Sequence, residues 1–182
     1  MDIMNMIFSS LQSNVTEKIA SKFGADPETL NQVIASLTPK LTEEVKNKLK
    51  DPNVDSTPII QKATDPEIQT IAEKAQEYVE KDDIVDKGNE LLGYITGSKE
   101  KSKEIAAQVA DETGFDFSMI KQLLPMVAPI VMGTLGKTLS QSNADVSDVS
   151  NAEKSLLSFL DFDNDGSIID DVIGMAGKFF RS

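Results

Sequence analysis

Apolar residues recur along this chain at the three- and four-residue spacing of amphipathic helices. Ile3, Met6, Ile7, Phe8 and Leu11 share a face over residues 2–13, and Val15, Ile19 and Phe23 share one over 15–23. Gly24 then closes the second helix, because glycine takes the left-handed C-terminal position without strain. Asp26 and Pro27 open the next, as N-cap and first helical residue. Leu30, Val33, Ile34 and Leu37 carry that helix over 27–37. Thr38-Pro39 predicts a break, since proline inside a helix costs about 3 kcal/mol and proline in a first turn costs little. Leu41, Val45 and Leu49 form the stripe of the helix beyond.

Turn residues make 51–58 (DPNVDSTP) a loop. Asp65, Pro66 and Glu67 then open a helix predicted to run to about Lys81, with Ile68, Ile71, Ala72, Ala75 and Val79 inside. A further helix over about 84–96 holds Ile84, Val85, Leu91, Leu92 and Ile95, and Gly97-Ser98 leads out of it.

The most apolar run is SMIKQLLPMVAPIVMGTLGKTL, Ser118 to Leu139, and a paler copy of it lies 90 positions upstream. Laying 15–49 on 105–139 without a gap pairs Gly24 with Gly114, Asp26 with Asp116, Pro39 with Pro129 and Leu49 with Leu139. The apolar positions keep the same register, from Val15/Ile105 through Ile34/Leu124 to Val45/Leu135. Such a register predicts an internal duplication. Gly133 and Gly136 stand where the first copy has Glu43 and Lys46, so the second copy's last helix is expected to be central and the first copy's half exposed. Pro125 and Pro129 leave two options there, a break at Pro125 or a kinked helix.

The expected fold is therefore all-α: two related helical bundles from the duplication (15–49 and 105–139), followed by a C-terminal helix-loop-helix. The organisation read from it is a duplicated domain over 1–139, with a first repeat of about 1–50 and a second of about 84–139. A polar linker covers 140–150, and 151–182 forms the helix-loop-helix. Ser150 and Glu153 have capping-box spacing before the helix SLLSFL.

Composition narrows the chemistry. The 182 residues hold no His and no Cys, which removes thiolate nucleophiles, disulfides, imidazole bases and Cys/His metal sites together. A net charge of −12 repels phosphate backbones, so nucleic acid is an unexpected partner. The Gly-x-Asp corner between short helices has helix-turn-helix form, yet the two would-be recognition helices offer one Lys between them. The acidic N-terminal segment MDIMNMIFSSLQ lacks the Lys or Arg of a signal peptide, which predicts a cytoplasmic protein. The apolar run from Ile120 to Leu135 contains two prolines, Lys121 and Gln122, which predicts a core helix and no membrane span.

One stretch carries ligand chemistry. Asp161, Asp163 and Asp165 occupy positions 1, 3 and 5 of an EF-hand loop, with Gly166 at 6, Ser167 at 7 and Ile168 at 8. Calcium, taking six to eight hard oxygens, is the cation such a loop suits. Position 12 is Val172 where the motif has a bidentate Glu; Asp170 and Asp171, at 10 and 11, could serve only with altered geometry. The bland alternative is an Asp-rich turn that caps the following helix. No H-E-x-x-H, G-x-S-x-G or phosphate-cradling glycine loop is present. The charge clusters Glu43/Glu44/Lys46/Lys48 and Glu73/Lys74/Glu77/Glu80/Lys81 read as solvated faces, and Met119, Met126 and Met132 as core.

LLGYITGSK (91–99), a Gly-Phe-Asp corner and LLPMVAPIVMGTLGK (123–137) resemble a bacterial family of domains of unknown function, number 937. IASKFGADPETLNQVIASLTPKL (19–41) resembles that family's first repeat, and DNDGSIIDDVIGMAGKFF its Asp-rich tail. The resemblance implies a duplicated all-helical bacterial protein and implies no activity. Thr38 and Lys40 stand where the family's first repeat is more apolar, which predicts a more exposed first copy. The expected function is a non-catalytic interaction or scaffold protein with a protein partner, weakly binding calcium through its last loop. The alternatives are a calcium sensor or buffer and a hydrolase using carboxylates alone.

Overall fold

The computed structural model describes residues 3–11, 14–142 and 147–161. Those residues form ten helices and no strand. They are α1 (Ile3–Leu11), α2 (Asn14–Phe23), α3 (Pro27–Lys50), α4 (Thr57–Thr64) and α5 (Pro66–Glu73), then α6 (Ala75–Tyr78), α7 (Asp83–Thr96), α8 (Lys99–Thr113), α9 (Phe117–Gln141) and α10 (Val149–Leu160). The fold is all-α, as the spacing predicts.

Helix α9 is the axis of the molecule. Every residue from 123 to 136 is buried, on all sides of the helix. Helices α1, α3, α4, α5, α7, α8 and α10 each pack against it. By length and composition α9 could cross a membrane, but 83% of its most apolar window lies inside the protein. That is the environment of a core helix, which needs no lipid to hide its apolar surface.

Both long helices run through their prolines, which corrects the break expected before Pro39. Proline has no N–H, so Pro39 leaves the carbonyl of Ala35 without its helical donor. The chain nonetheless stays helical from Pro27 to Lys50, because Leu37, Leu41 and Val45 must all be buried on one continuous face. Packing overrides propensity here. Thr42 Oγ bonds the carbonyls of Thr38 at 2.8 Å and Pro39 at 3.0 Å beside the defect. Thr38 itself is fully buried and its hydroxyl finds no partner among the described residues. This contradicts the exposed first copy expected from Thr38 and Lys40. Lys40 is largely covered and pairs with Glu112 of α8.

Prolines and glycines together explain how neighbours come so close to α9. Pro129 has no N–H to give the carbonyl of Pro125, and that carbonyl lies directly on Gly88 of α7. A Cβ at Gly88 would sit 1.6 Å from the Pro125 oxygen. Gly136 meets the carbonyl of Ala63 in α4 in the same way, at 1.7 Å from a would-be Cβ, and Gly133 that of Ile68 in α5, at 2.2 Å. Only hydrogen fits at these positions.

The two Gly-x-Asp corners have the geometry their sequences require. Gly24 (φ 62) and Gly114 (φ 70) are left-handed. Asp26 accepts from the Thr29 amide, and Asp116 from the Met119 amide, so each corner closes one helix and opens the next.

Three boundaries differ from expectation. The helix predicted to reach Lys81 breaks at Lys74 (φ −116, ψ 36), which lets α6 lean on α2 while α5 stays against α9. The expected loop ends early: Thr57 and Pro58 already belong to α4, with Pro58 in its first turn. The last described helix is capped by Asp148, which accepts from the Ser150 and Asn151 amides. The expected capping box does not form, because Glu153 accepts instead from the Ser56 hydroxyl.

Gly88→Ala and Gly136→Ala should each destabilise the protein by about 1–3 kcal/mol, through overpacking. Gly93→Ala, in α7 with nothing within 4 Å of the added methyl, should raise stability by up to about 1 kcal/mol. Urea unfolding of the three variants checks this; a neutral Gly88→Ala would mean that α7 is not seated on the Pro125 carbonyl.

Candidate functional site: a paired aspartate and a lysine-rimmed groove

Of the residues predicted to hold calcium, Asp161 is described; Asp163, Asp165, Ser167, Asp170 and Asp171 lie outside the described residues. Asp161 directly follows α10, whose Ala152, Leu156 and Leu160 are buried in the shared core. Its carboxylate is already engaged. Lys46 Nζ donates to Oδ1 at 2.8 Å and Lys50 Nζ lies 3.6 Å from Oδ2. Lys46 is only 3% exposed along its side chain, so its expected place on a solvated face is wrong. An ammonium buried this deeply needs a partner, and α10 brings one across the end of α3. The hydrogen bond from Lys46 holds the Asp161 carboxyl below its ordinary range, against the opposing effect of burial. Among the described residues, no three His, Cys, Asp or Glu side chains gather closely enough to hold a metal ion.

Most other carboxylates with a lysine within reach fasten one helix to another. Glu112 meets Lys40, Glu44 meets Lys101, Glu90 meets Lys62 and Glu73 meets Lys137. Glu80 pairs with Lys18, and Lys87 is shared by Glu67 and Asp83. The second charge cluster read as a free solvated face is thus partly tied down at Glu73 and Glu80. Met126 and Met132 are core residues, as expected.

Sequence reasoning missed a pair of adjoining clefts. One, of about 620 Å³, opens between α7, α8 and α9 and is lined by Lys99, Lys103 and Lys121, with Ser98, Ser102 and Leu92 among the rest. The other, of about 560 Å³, is lined by Lys22, Phe23, Val85, Pro125 and Met126. Asn89 and Lys121 line both. The signal for the first was the spacing in KEKSKE (99–104), which puts Lys99, Ser102 and Lys103 on one face of α8. A third cleft, of about 330 Å³, contains Ser9, Ser10, Thr134 and the Glu73–Lys137 pair.

An acidic helical protein wrapped around one central helix, with its charges used to clamp its own helices, is the class defined so far. The chain belongs to the family described as "Bacterial protein of unknown function (DUF937)", whose model matches residues 5–138. Comparisons with curated proteins and with solved structures each gave no match.

Removing Asp161 should cost more than removing its partner. Asp161→Ala strands a buried ammonium, whereas Lys46→Met leaves a carboxylate that water and Lys50 can reach. Melting temperatures should therefore fall further for Asp161→Ala than for Lys46→Met. A carboxylate with a depressed folded-state pKa stabilises above its unfolded value, near 3.8, and loses that contribution as pH falls through the folded value. The wild type should thus lose more stability than Asp161→Asn between about pH 5 and pH 2. Parallel acid-unfolding curves would refute the pairing.

Proposed function

We propose that this protein acts by holding a protein partner in place, as a non-catalytic helical scaffold. One observation carries the reading: Glu44, Glu67, Glu73, Glu90, Glu112 and Asp161 each pair with a lysine of another helix. A carboxylate serving as general acid near neutrality needs a raised pKa. Asp55, Asp83, Glu112 and Asp161 are all displaced downward. For Glu112 burial pushes upward, and the hydrogen bonds from Lys40 and Ser36 outweigh it. Of these, Glu112 and Asp161 clamp one helix to another, and a clamped helical body suits the presentation of a fixed surface. The experiment is capture of the tagged protein from its native cell, followed by titration of any stoichiometric partner against the purified chain by calorimetry. Saturable one-to-one heat supports the scaffold. Turnover of ester or phosphate substrates that is lost in a single Asp or Glu variant would replace it with a hydrolase.

A second reading is weak calcium binding at the Asp loop. It is favoured by the position of Asp161, which follows α10 as the first ligand of an EF-hand follows its entering helix. Asp163, Asp165 and Ser167 would complete the oxygen set, with Asp170 or Asp171 replacing the missing Glu. Calcium would have to draw Asp161 away from Lys46 and Lys50, which adds to the weakness expected without that Glu. Affinity should lie on the order of 10⁻⁵ to 10⁻³ M. Calcium at millimolar concentration should raise the melting temperature of the wild type and leave Asp163→Ala/Asp165→Ala unmoved. Lys50→Met should bind more tightly than wild type. Calorimetry without heat at millimolar calcium would leave the loop a turn.

A further inference from the structure

Two adjoining clefts, one between α7, α8 and α9 and the other between α2, α7 and α9, share their chemistry. They are cationic in a protein of net charge −12: Lys99, Lys103 and Lys121 line the larger one, and Lys22 joins Lys121 in the other. Lys48 of α3 adds its ammonium at the edge, beside Gly97. Among the described residues, no Asp or Glu lines either cleft. Neighbouring carboxylates are turned away, with Glu90 on Lys62, Glu104 on Lys101 and Asp83 on Lys87. Among the described residues, Lys99 and Lys103 have no carboxylate partner, although eight other lysines do.

The floor is apolar. Leu92 and Leu124 lie under the larger cleft, and Phe23, Val85, Pro125 and Met126 under the other. Phe117 is the one large hydrophobic side chain exposed among the described residues, at 39%. It stands at the start of α9 with the Lys121 ammonium 5.6 Å from its ring centre. An exposed aromatic ring beside a half-apolar groove completes a surface that water covers poorly.

We propose that this groove binds a small amphiphilic anion: an acyl-type apolar body lying over Val85, Leu92 and Pro125, with one anionic head among Lys99, Lys103 and Lys121. Each cleft is of the size that takes a small molecule. Cations with no internal partner are desolvated at less cost by an incoming anion than paired ones, since no existing ion pair must break. The apolar body supplies affinity by burial, and the lysines select the head. A fully polar anion would leave the floor unused, and a neutral amphiphile would leave three ammonium groups unanswered. Amphiphile binding needs neither a protein partner nor the Asp loop, so either can fail without the other.

Dodecanoate, dodecyl phosphate, dodecanol and inorganic phosphate are the probes, titrated calorimetrically into the whole chain below their micelle-forming concentrations. Saturable one-to-one binding of either dodecyl anion, at least about tenfold tighter than dodecanol, is expected from charge-assisted hydrogen bonds to the head. Lys103→Met/Lys121→Met should weaken it by about tenfold or more. Lys154→Met, which removes the same kind of charge on α10, should leave it unchanged. These lysines are exposed, and circular dichroism confirms that each variant keeps its helices. Four results would overturn the proposal. They are no saturable binding, equal affinity for dodecanol, inorganic phosphate binding as tightly as the dodecyl anions, and an undiminished Lys103→Met/Lys121→Met variant. A concentration-dependent dimer that excludes the probes would assign the groove to a second copy of the chain and overturn it as well.

Discussion

From Leu123 to Gly136 helix α9 has no face that water can accept, and the rest of the fold follows from covering it. A helix that is apolar on one stripe needs one neighbour, whereas one that is apolar all round needs a sheath. Seven helices supply it. The closest approaches are backbone on backbone, at Gly88 on the Pro125 carbonyl and Gly136 on the Ala63 carbonyl. Side chains can repack to absorb a small change, but a carbonyl against a Cα cannot. These contacts therefore set the spacing of α4 and α7 from the axis, and with it the width of the groove between α7, α8 and α9.

The sequence register pairs Lys46 with Gly136, and these two positions are closed in different ways. Gly136 lets α4 approach because it has no side chain. Lys46, its counterpart 90 residues earlier, is buried and reaches the carboxylate of Asp161 at the end of α10. Both positions receive a neighbouring helix. One does so by steric clearance, the other by a charged contact that only a carboxylate at the right height can satisfy. A buried ion pair is a poor source of net stability but a strict selector of register. Lys46 thus fixes where α10 ends on α3, while Ala152, Leu156 and Leu160 supply the burial.

Helix identity was legible because the apolar spacing and the corner residues agree. Gly24, Asp26, Gly114 and Asp116 each act as their chemistry demands. Pro39 misled because a local cost was weighed without the tertiary gain. Pro39, Pro125 and Pro129 sit in helices that continue through them, with buried residues on both sides of each proline. Lys46 misled for a related reason. A lysine beside Glu43 and Glu44 reads as surface, and nothing local reveals a partner 115 residues away. The groove was invisible for another reason: its lysines come from α2, α8 and α9, and only the packing of α7 between them brings their side chains around one space.

Charge accounting gives the groove its meaning. With 30 Asp and Glu against 18 Lys and Arg, each lysine has carboxylates to choose from, and random placement would leave few without one nearby. Among the described residues, eight lysines lie against a carboxylate from another element. Lysines without one, concentrated where the floor is apolar and no carboxylate enters, run against the field of the whole molecule. Long-range repulsion from a net negative surface slows any anion's approach and weakens with salt. An anion held there must gain its affinity at short range, from contact with the ammonium groups and from burial of an apolar body. That requirement separates an amphiphile from simple ions. It also predicts that rising ionic strength affects its capture little, because the unfavourable long-range field and the favourable local pairing are screened together.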